Sequence, residues 1–156
     1  MDEFLKIYQI YFERSQMPFL EKEFIPFDAS KVPNPENREY RIFHRSYTQE
    51  KHKESLYTGF ISWKFYEKTQ IRGKEFIQFI QKNPGYDVYF INPFWEEIFW
   101  QNVWLQGESK HPGLIVFVQR ILEKLGHEID LRTMHNDISN LSYCNYWVGN
   151  RKFWDE

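Results

Sequence analysis

Two apolar rhythms alternate along the chain, one with strand spacing and one with helix spacing. Leu5 to Phe12 carries the first. Successive strand side chains point to opposite faces, so Ile7, Gln9 and Tyr11 share one side and Tyr8, Ile10 and Phe12 the other. Both sides are largely apolar, as in a strand covered on two faces. Gln9 is the polar exception, read either as a satisfied core amide or as a ligand contact. Tyr86 to Pro93 repeats the strand rhythm after Gly85. This short run between turn residues predicts a buried, central strand. Asp87 stands near its start, where a buried carboxylate is costly unless paired or ligated. Ligands of open α/β sheets bind outside the carboxyl ends of the strands. The strand is therefore expected to deliver Asn92 to a ligand.

Helical spacing appears between and after these strands. Phe76, Ile77, Phe79 and Ile80 match one helix face, and Asn83-Pro84-Gly85 ends it. Phe94 to Leu105 predicts a second helix closed by Gly107, with Trp95, Ile98 and Phe99 on one face. Asn102 and Gln106 are four apart and hence neighbours; they either look into a pocket or cap loops. Pro112 suits the first position of a helix running to Leu125. Leu114, Phe117, Val118, Ile121, Leu122 and Leu125 form its expected core stripe. Its start, beside Lys110 and His111, is either a plain capped end or a receiver for phosphate or carboxylate.

The remaining segments are less regular. Residues 13–38 hold Pro18, Pro26, Pro33 and Pro35 with Asp28, Ser30, Asn34 and Asn37, which predicts a long loop. Glu39 to Tyr47 fits a short helix or a strand, and Thr48 to Glu54 a solvated turn or helix face. Tyr57 to Phe65 is an apolar run in which Gly59 permits close backbone approach. There Lys64 either pairs with phosphate or carboxylate or is an ordinary exposed lysine. His127 to Arg132 predicts a third strand, Leu141 to Val148 a fourth with Asn145 at its middle, and Asn150 starts a last helix.

Composition narrows the function. The 156 residues suit one domain. With 20 basic and 22 acidic residues the net charge is −2, against the basic surplus of nucleic-acid binders. No run is long and apolar enough to span a bilayer, and the opening Met-Asp-Glu reads as no signal peptide, so the expected location is cytoplasmic. A single cysteine, Cys144, leaves no internal disulfide and reads as an inert core thiol. Aromatic residues make up 20% of the chain, more than a core of this size hides. Some should line a groove for sugars, peptides or nucleobases; the plain alternative is an aromatic-heavy core or a homodimer interface. A metal site would have to draw on Asp87, Glu108, His111, His135 and Asp137, and their spacing is a weak signal.

Tyr57–Phe65, Tyr86–Pro93, Asn102–Glu108 with His111-Pro112-Gly113, and Tyr143–Gly149 together resemble a poorly characterised bacterial family. Its members are glycosyltransferase-like proteins of surface-polysaccharide and lipopolysaccharide biosynthesis. The resemblance covers most of the chain. It implies a single α/β domain over 1–156, with a small, mostly parallel sheet flanked by helices. That fold is GT-A-like and Rossmann-type, for which the chain is short and could be truncated. It also implies a nucleotide-sugar donor, a glycan acceptor and a divalent metal, Mn or Mg. Asp87 would hold the metal, and Asp87 or Glu108 would be the catalytic base. Gln9, Tyr57, Ser62, Lys64, Tyr89 and Asn92 would contact substrate, as would Asn102, Trp104, Gln106, His111, Asn145 and Tyr146. One departure stands out: the central motif reads Asp87-Val88-Tyr89, so the second carboxylate of the family's Asp-x-Asp is missing. A non-catalytic carbohydrate-binding or assembly module with the same aromatic groove is the alternative.

Overall fold

The computed structural model describes residues 3–32 and 38–156, without the side chains of Arg38, Trp95, Glu97 and Ile98. The chain divides into two compact units, Met1–Ile91 with Cys144–Glu156, and Asn92–Tyr143.

The first unit is built on a five-stranded sheet. Its strands are β1 (Glu3–Tyr11), β2 (Ile25–Asp28), β3 (Ser55–Ser62), β4 (Val88–Phe90) and β5 (Trp147–Asn150), in the order β2-β1-β3-β5-β4. β1 pairs in parallel with β2 and β3, whereas β5 runs antiparallel to both β3 and β4. The sheet is therefore mixed, not mostly parallel. The reason is β5, which enters between β3 and β4 against their direction. Helices α1 (Arg38–Thr48), α2 (Phe65–Thr69), α3 (Gly73–Lys82) and α6 (Arg151–Asp155) flank it.

Strand alternation sorts the core into two layers. Ile7 joins Tyr57, Ile61, Phe65, Phe76, Ile80, Tyr89 and Val148 in one cluster. Tyr8 and Ile10 join Ile42 and Phe60 in the other, with Phe43 and Trp154 packed against it. The expectation of a strand covered on two faces holds for β1. It fails for 86–93. β4 pairs only with β5, so it is an edge strand; Tyr89 is buried but Asp87 is exposed. The 13–38 segment contains a 3-10 turn (Arg14–Phe19) and β2, which the sequence did not suggest. Pro26 is tolerated in β2 because that strand is the opposite edge. Residues 33–37 of that segment, with Pro33, Asn34, Pro35 and Asn37, lie outside the described residues, as do Met1 and Asp2.

The second unit holds a 3-10 turn (Trp95–Trp100), α4 (Val103–Lys110) and α5 (Leu114–Lys124). The single helix expected over 94–105 is split. Gln101 has a left-handed backbone (φ 51°), and Asn102 caps a fresh helix that runs through Gly107. The face expected to include Trp95 and Ile98 rests on side chains outside the described ones. The expected strand over His127–Arg132 is irregular chain, and of 141–148 only the last two residues enter β5. Ile115 is buried in α5, but Phe117 and Leu125 are 65% and 67% exposed, so the expected core stripe is only partly internal. Among the described residues no helix is long and apolar enough to cross a membrane.

Gly59 faces Val148 across the β3–β5 pairing. A Cβ there would stand 2.7 Å from the Trp147 carbonyl oxygen and 2.7 Å from Val148 Cγ2. Backbone on a neighbouring strand cannot step aside cheaply. Gly59→Ala should therefore lower unfolding stability by about 1–3 kcal/mol, read from the denaturant midpoint.

Candidate functional site

The first unit has one place where strand order itself creates a crevice. From β1 the chain turns to β2 on one side; from β3 it goes on to β4, on the other side. The loops leaving the carboxyl ends of two adjacent parallel strands thus diverge, and ligands of α/β sheets bind at such points. A cleft of about 430 Å³ opens there, within the range of small-molecule sites. Pro18, Phe19, Leu20 and Glu21, after β1, form one wall. Trp63, Tyr66, Glu67 and Arg72, after β3, form the other.

Three rings and two ion pairs furnish it. Phe19 and Trp63 lie 5.7 Å apart, tilted by 50°. The Lys64 ammonium stands 5.0 Å from the Trp63 ring centre and 3.6 Å from a Glu67 carboxylate oxygen. The Arg72 guanidinium lies 3.5 Å from the centre of the Tyr66 ring and donates to Glu21 at 3.2 Å. Glu21 is a buried carboxylate, its side chain only 6% exposed. It is satisfied by Arg72 and by the Gly73 N–H at 2.8 Å, so it also caps α3. Glu75 bonds back to the Arg72 N–H at 2.8 Å, closing the helix start.

Gln9 underlies both walls. It is fully buried. Its carbonyl oxygen accepts from the Glu21 N–H at 2.7 Å, and its amide nitrogen donates to Ser62 and Trp63 carbonyls at 3.3 and 3.4 Å. The core-amide reading of Gln9 is the one seen, and it sits directly beneath the cleft. Ser62 accepts from the Lys64 N–H at 3.2 Å. Burial pushes the Tyr146 phenol up to about 12, so it stays protonated at ordinary pH. Of the residues expected at substrate, Gln9, Ser62, Lys64 and Tyr146 thus gather at this end of the strands.

The others stand elsewhere. Asp87 precedes β4, at the opposite end of the strands. It is exposed, not buried, and Lys152 and Asn150 donate to it at 2.7 and 2.8 Å. Those two donors hold it below the usual carboxylate range, so it is a weak base. Tyr57 and Tyr89 use their hydroxyls to pin the 83–86 turn, donating to the Tyr86 and Asn83 carbonyls. Asn145 is exposed and outside any strand.

In the second unit Asn102 and Glu108 serve the scaffold. Asn102 accepts from Trp104 and Leu105 N–H groups at 2.9 and 3.0 Å and donates to the Leu131 and Met134 carbonyls at 3.0 and 2.8 Å. Its first role is an N-cap. Trp104 and Gln106 lie partly buried on α4, and His111 ends that helix in the open. Glu108 accepts from the Ile115 and Gly113 N–H groups, each at 2.8 Å. Asn92 Oδ1 is buried and accepts no hydrogen bond from the described residues. Among those residues no three His, Cys, Asp or Glu side chains come close enough to hold a metal.

Phe19, Glu21, Trp63, Tyr66, Glu67 and Arg72 were not singled out from the sequence. Trp63 lay within a flagged stretch, and two aromatics close behind a strand end were a usable signal. Glu21 and Arg72 had none, because they meet across 51 residues of chain.

Two outcomes test these assignments. Gln9→Leu strands the Glu21 N–H and should cost about 1–3 kcal/mol in chemical unfolding, with altered Trp63 emission before the transition. The two N–H bonds depress the Glu108 pKa, so its contribution is complete above the ordinary glutamate range and is lost as pH falls through the depressed folded value. Gly113 and Ile115 amide shifts should titrate with a midpoint below that range; an ordinary midpoint would contradict the cap. Comparison of the chain with protein-family models, with curated proteins and with solved structures returns no match.

Proposed function

We propose that this chain is a glycosyltransferase-like protein of bacterial surface-glycan biosynthesis that binds a nucleotide-sugar donor in the cleft between the β1 and β3 ends. One observation carries the reading. An aromatic cleft with two cations lies at the diverging carboxyl ends of adjacent parallel strands. Trp63 and Tyr66 offer faces to a base or a sugar ring. The donor reading thereby moves from Asp87, at the far end of the strands, to this cleft. Glu67 is the carboxylate available there, its side chain 61% exposed. In an inverting transfer it would take the acceptor hydroxyl proton as the oxygen attacks the anomeric carbon and the nucleoside diphosphate leaves with the bonding pair.

A divalent metal fits poorly. Asp87 is engaged by Lys152 and Asn150, and Glu21 by Arg72 and Gly73. No step is therefore assigned to a metal. The second reading, a non-catalytic carbohydrate-binding module, is favoured by the internal pairing of the charges, Glu21 with Arg72 and Glu67 with Lys64. Such neutral pairs beside rings suit sugar hydroxyls.

Calorimetry with UDP- and GDP-sugars, in buffer containing Mn²⁺, separates the two. The donor reading expects binding that Trp63→Ala weakens at least tenfold. Failure to bind any nucleotide, together with binding of free glycans, would replace it with the second reading.

A further inference from the structure

We propose that the cleft neutralises the donor's phosphate groups with the side-chain cations Arg72 and Lys64, in place of a divalent cation. The inference rests on the nucleotide-sugar reading above and names the chemistry by which that ligand is held.

Both cations are presented in the same way, each backed by an aromatic face. The Arg72 guanidinium is 3.5 Å from the Tyr66 ring centre, and the Lys64 ammonium 5.0 Å from that of Trp63. A ring behind a guanidinium occupies its face and leaves its N–H edge for an oxyanion. Arginine carries five such donors, and the Arg72 side chain gives one bond to Glu21 while remaining 57% exposed. Its planar fork matches two phosphate oxygens. Lys64 adds a compact charge. Its pair with Glu67 is long, at 3.6 Å, and exposed, so little is lost when the ammonium turns to a phosphate.

The carboxylates point the same way. A metal-bound diphosphate needs protein oxygens that are not already committed to cations. Glu21 is closed by Arg72 and the Gly73 N–H, which leaves Glu67 as a lone carboxylate, and among the described residues no three ligating side chains gather for a metal. Asp87, the single carboxylate of the Asp-Val-Tyr motif, stands at the other end of the strands under Lys152. Among the described residues the cleft gathers no set of carboxylates for a metal, and it presents two ring-backed cations with exposed N–H groups.

Titration of the full-length chain with UDP and GDP, in EDTA and in Mn²⁺, tests this by tryptophan fluorescence. Binding is expected in EDTA, weakened at least tenfold by Lys64→Met and by Arg72→Lys, and falling as salt rises. Arg72→Lys keeps a cation for Glu21, and Lys64→Met alters an exposed side chain, so both should fold; circular dichroism checks this. Binding that requires Mn²⁺, or that neither substitution moves, overturns the inference and leaves the donor reading standing. No binding of either nucleotide in any buffer removes both.

Discussion

A single buried amide sets the geometry on which the cleft depends. Gln9 lies in the middle strand of three parallel ones, with no solvent to satisfy it. A primary amide in such a place must find partners, since leaving one group unmatched costs about 1–3 kcal/mol. It finds them in both loops that leave the adjacent strand ends. One is the Glu21 N–H; the others are the Ser62 and Trp63 carbonyls. From Glu21 the chain of contacts continues through its carboxylate to Gly73 and Arg72, and from Arg72 to the face of Tyr66. Each member is held by the one before it. The walls of the cleft are therefore fixed from below by the sheet itself.

The second unit solves a similar problem with two asparagines. Asn102 and Asn136 are buried, and each bonds backbone on segments far apart in sequence. Asn102 caps α4 and reaches the 131–134 carbonyls; Asn136 accepts from the Val103 N–H. With few buried apolar residues available there, backbone groups are satisfied by amide side chains. Polar side chains that look like ligand contacts in the sequence are in this way absorbed by the scaffold. Those that remain for chemistry are partly exposed and lie behind strand ends.

Local rules read the long periodic elements well and the site poorly. β1, α3 and the helix after Pro112 were legible because their apolar spacing is long and unbroken. β2 was not, because Pro26 within it and the turn residues around it conceal an edge strand. The 86–93 run looked central because its residues are apolar and β-branched. What makes it an edge is that it pairs with β5 alone, Tyr89 meeting Val148 59 residues further on, and no local pattern encodes that. The helix over 94–105 breaks where Gln101 turns left-handed and Asn102 prefers capping to continuation, leaving only a 3-10 turn before it. The cleft itself depends on Glu21 meeting Arg72, a long-range contact invisible to spacing. Gln9 stands out in the sequence as the polar residue of an apolar strand, yet its role in joining two loops appears only once β1 and β3 are known to be adjacent.

The aromatic content acquires two separate explanations. Tyr8, Phe27, Phe43, Phe60, Trp147 and Trp154 pack edge-to-face and stacked on one side of the sheet, with ring centres 4.8–6.3 Å apart. Their job is to bury area; Phe60 is wholly enclosed. Phe19, Trp63 and Tyr66 differ in being partly or largely exposed. Cations lie over Trp63 and Tyr66, as Lys51 lies over the core ring of Tyr8. A cation placed over a ring gains about 0.5–1 kcal/mol at an exposed site. The pairs at the strand ends are the part of the aromatic content that the proposed nucleotide-sugar reading draws on, since a nucleoside phosphate would meet the rings with its planar part and the cations with its anionic part.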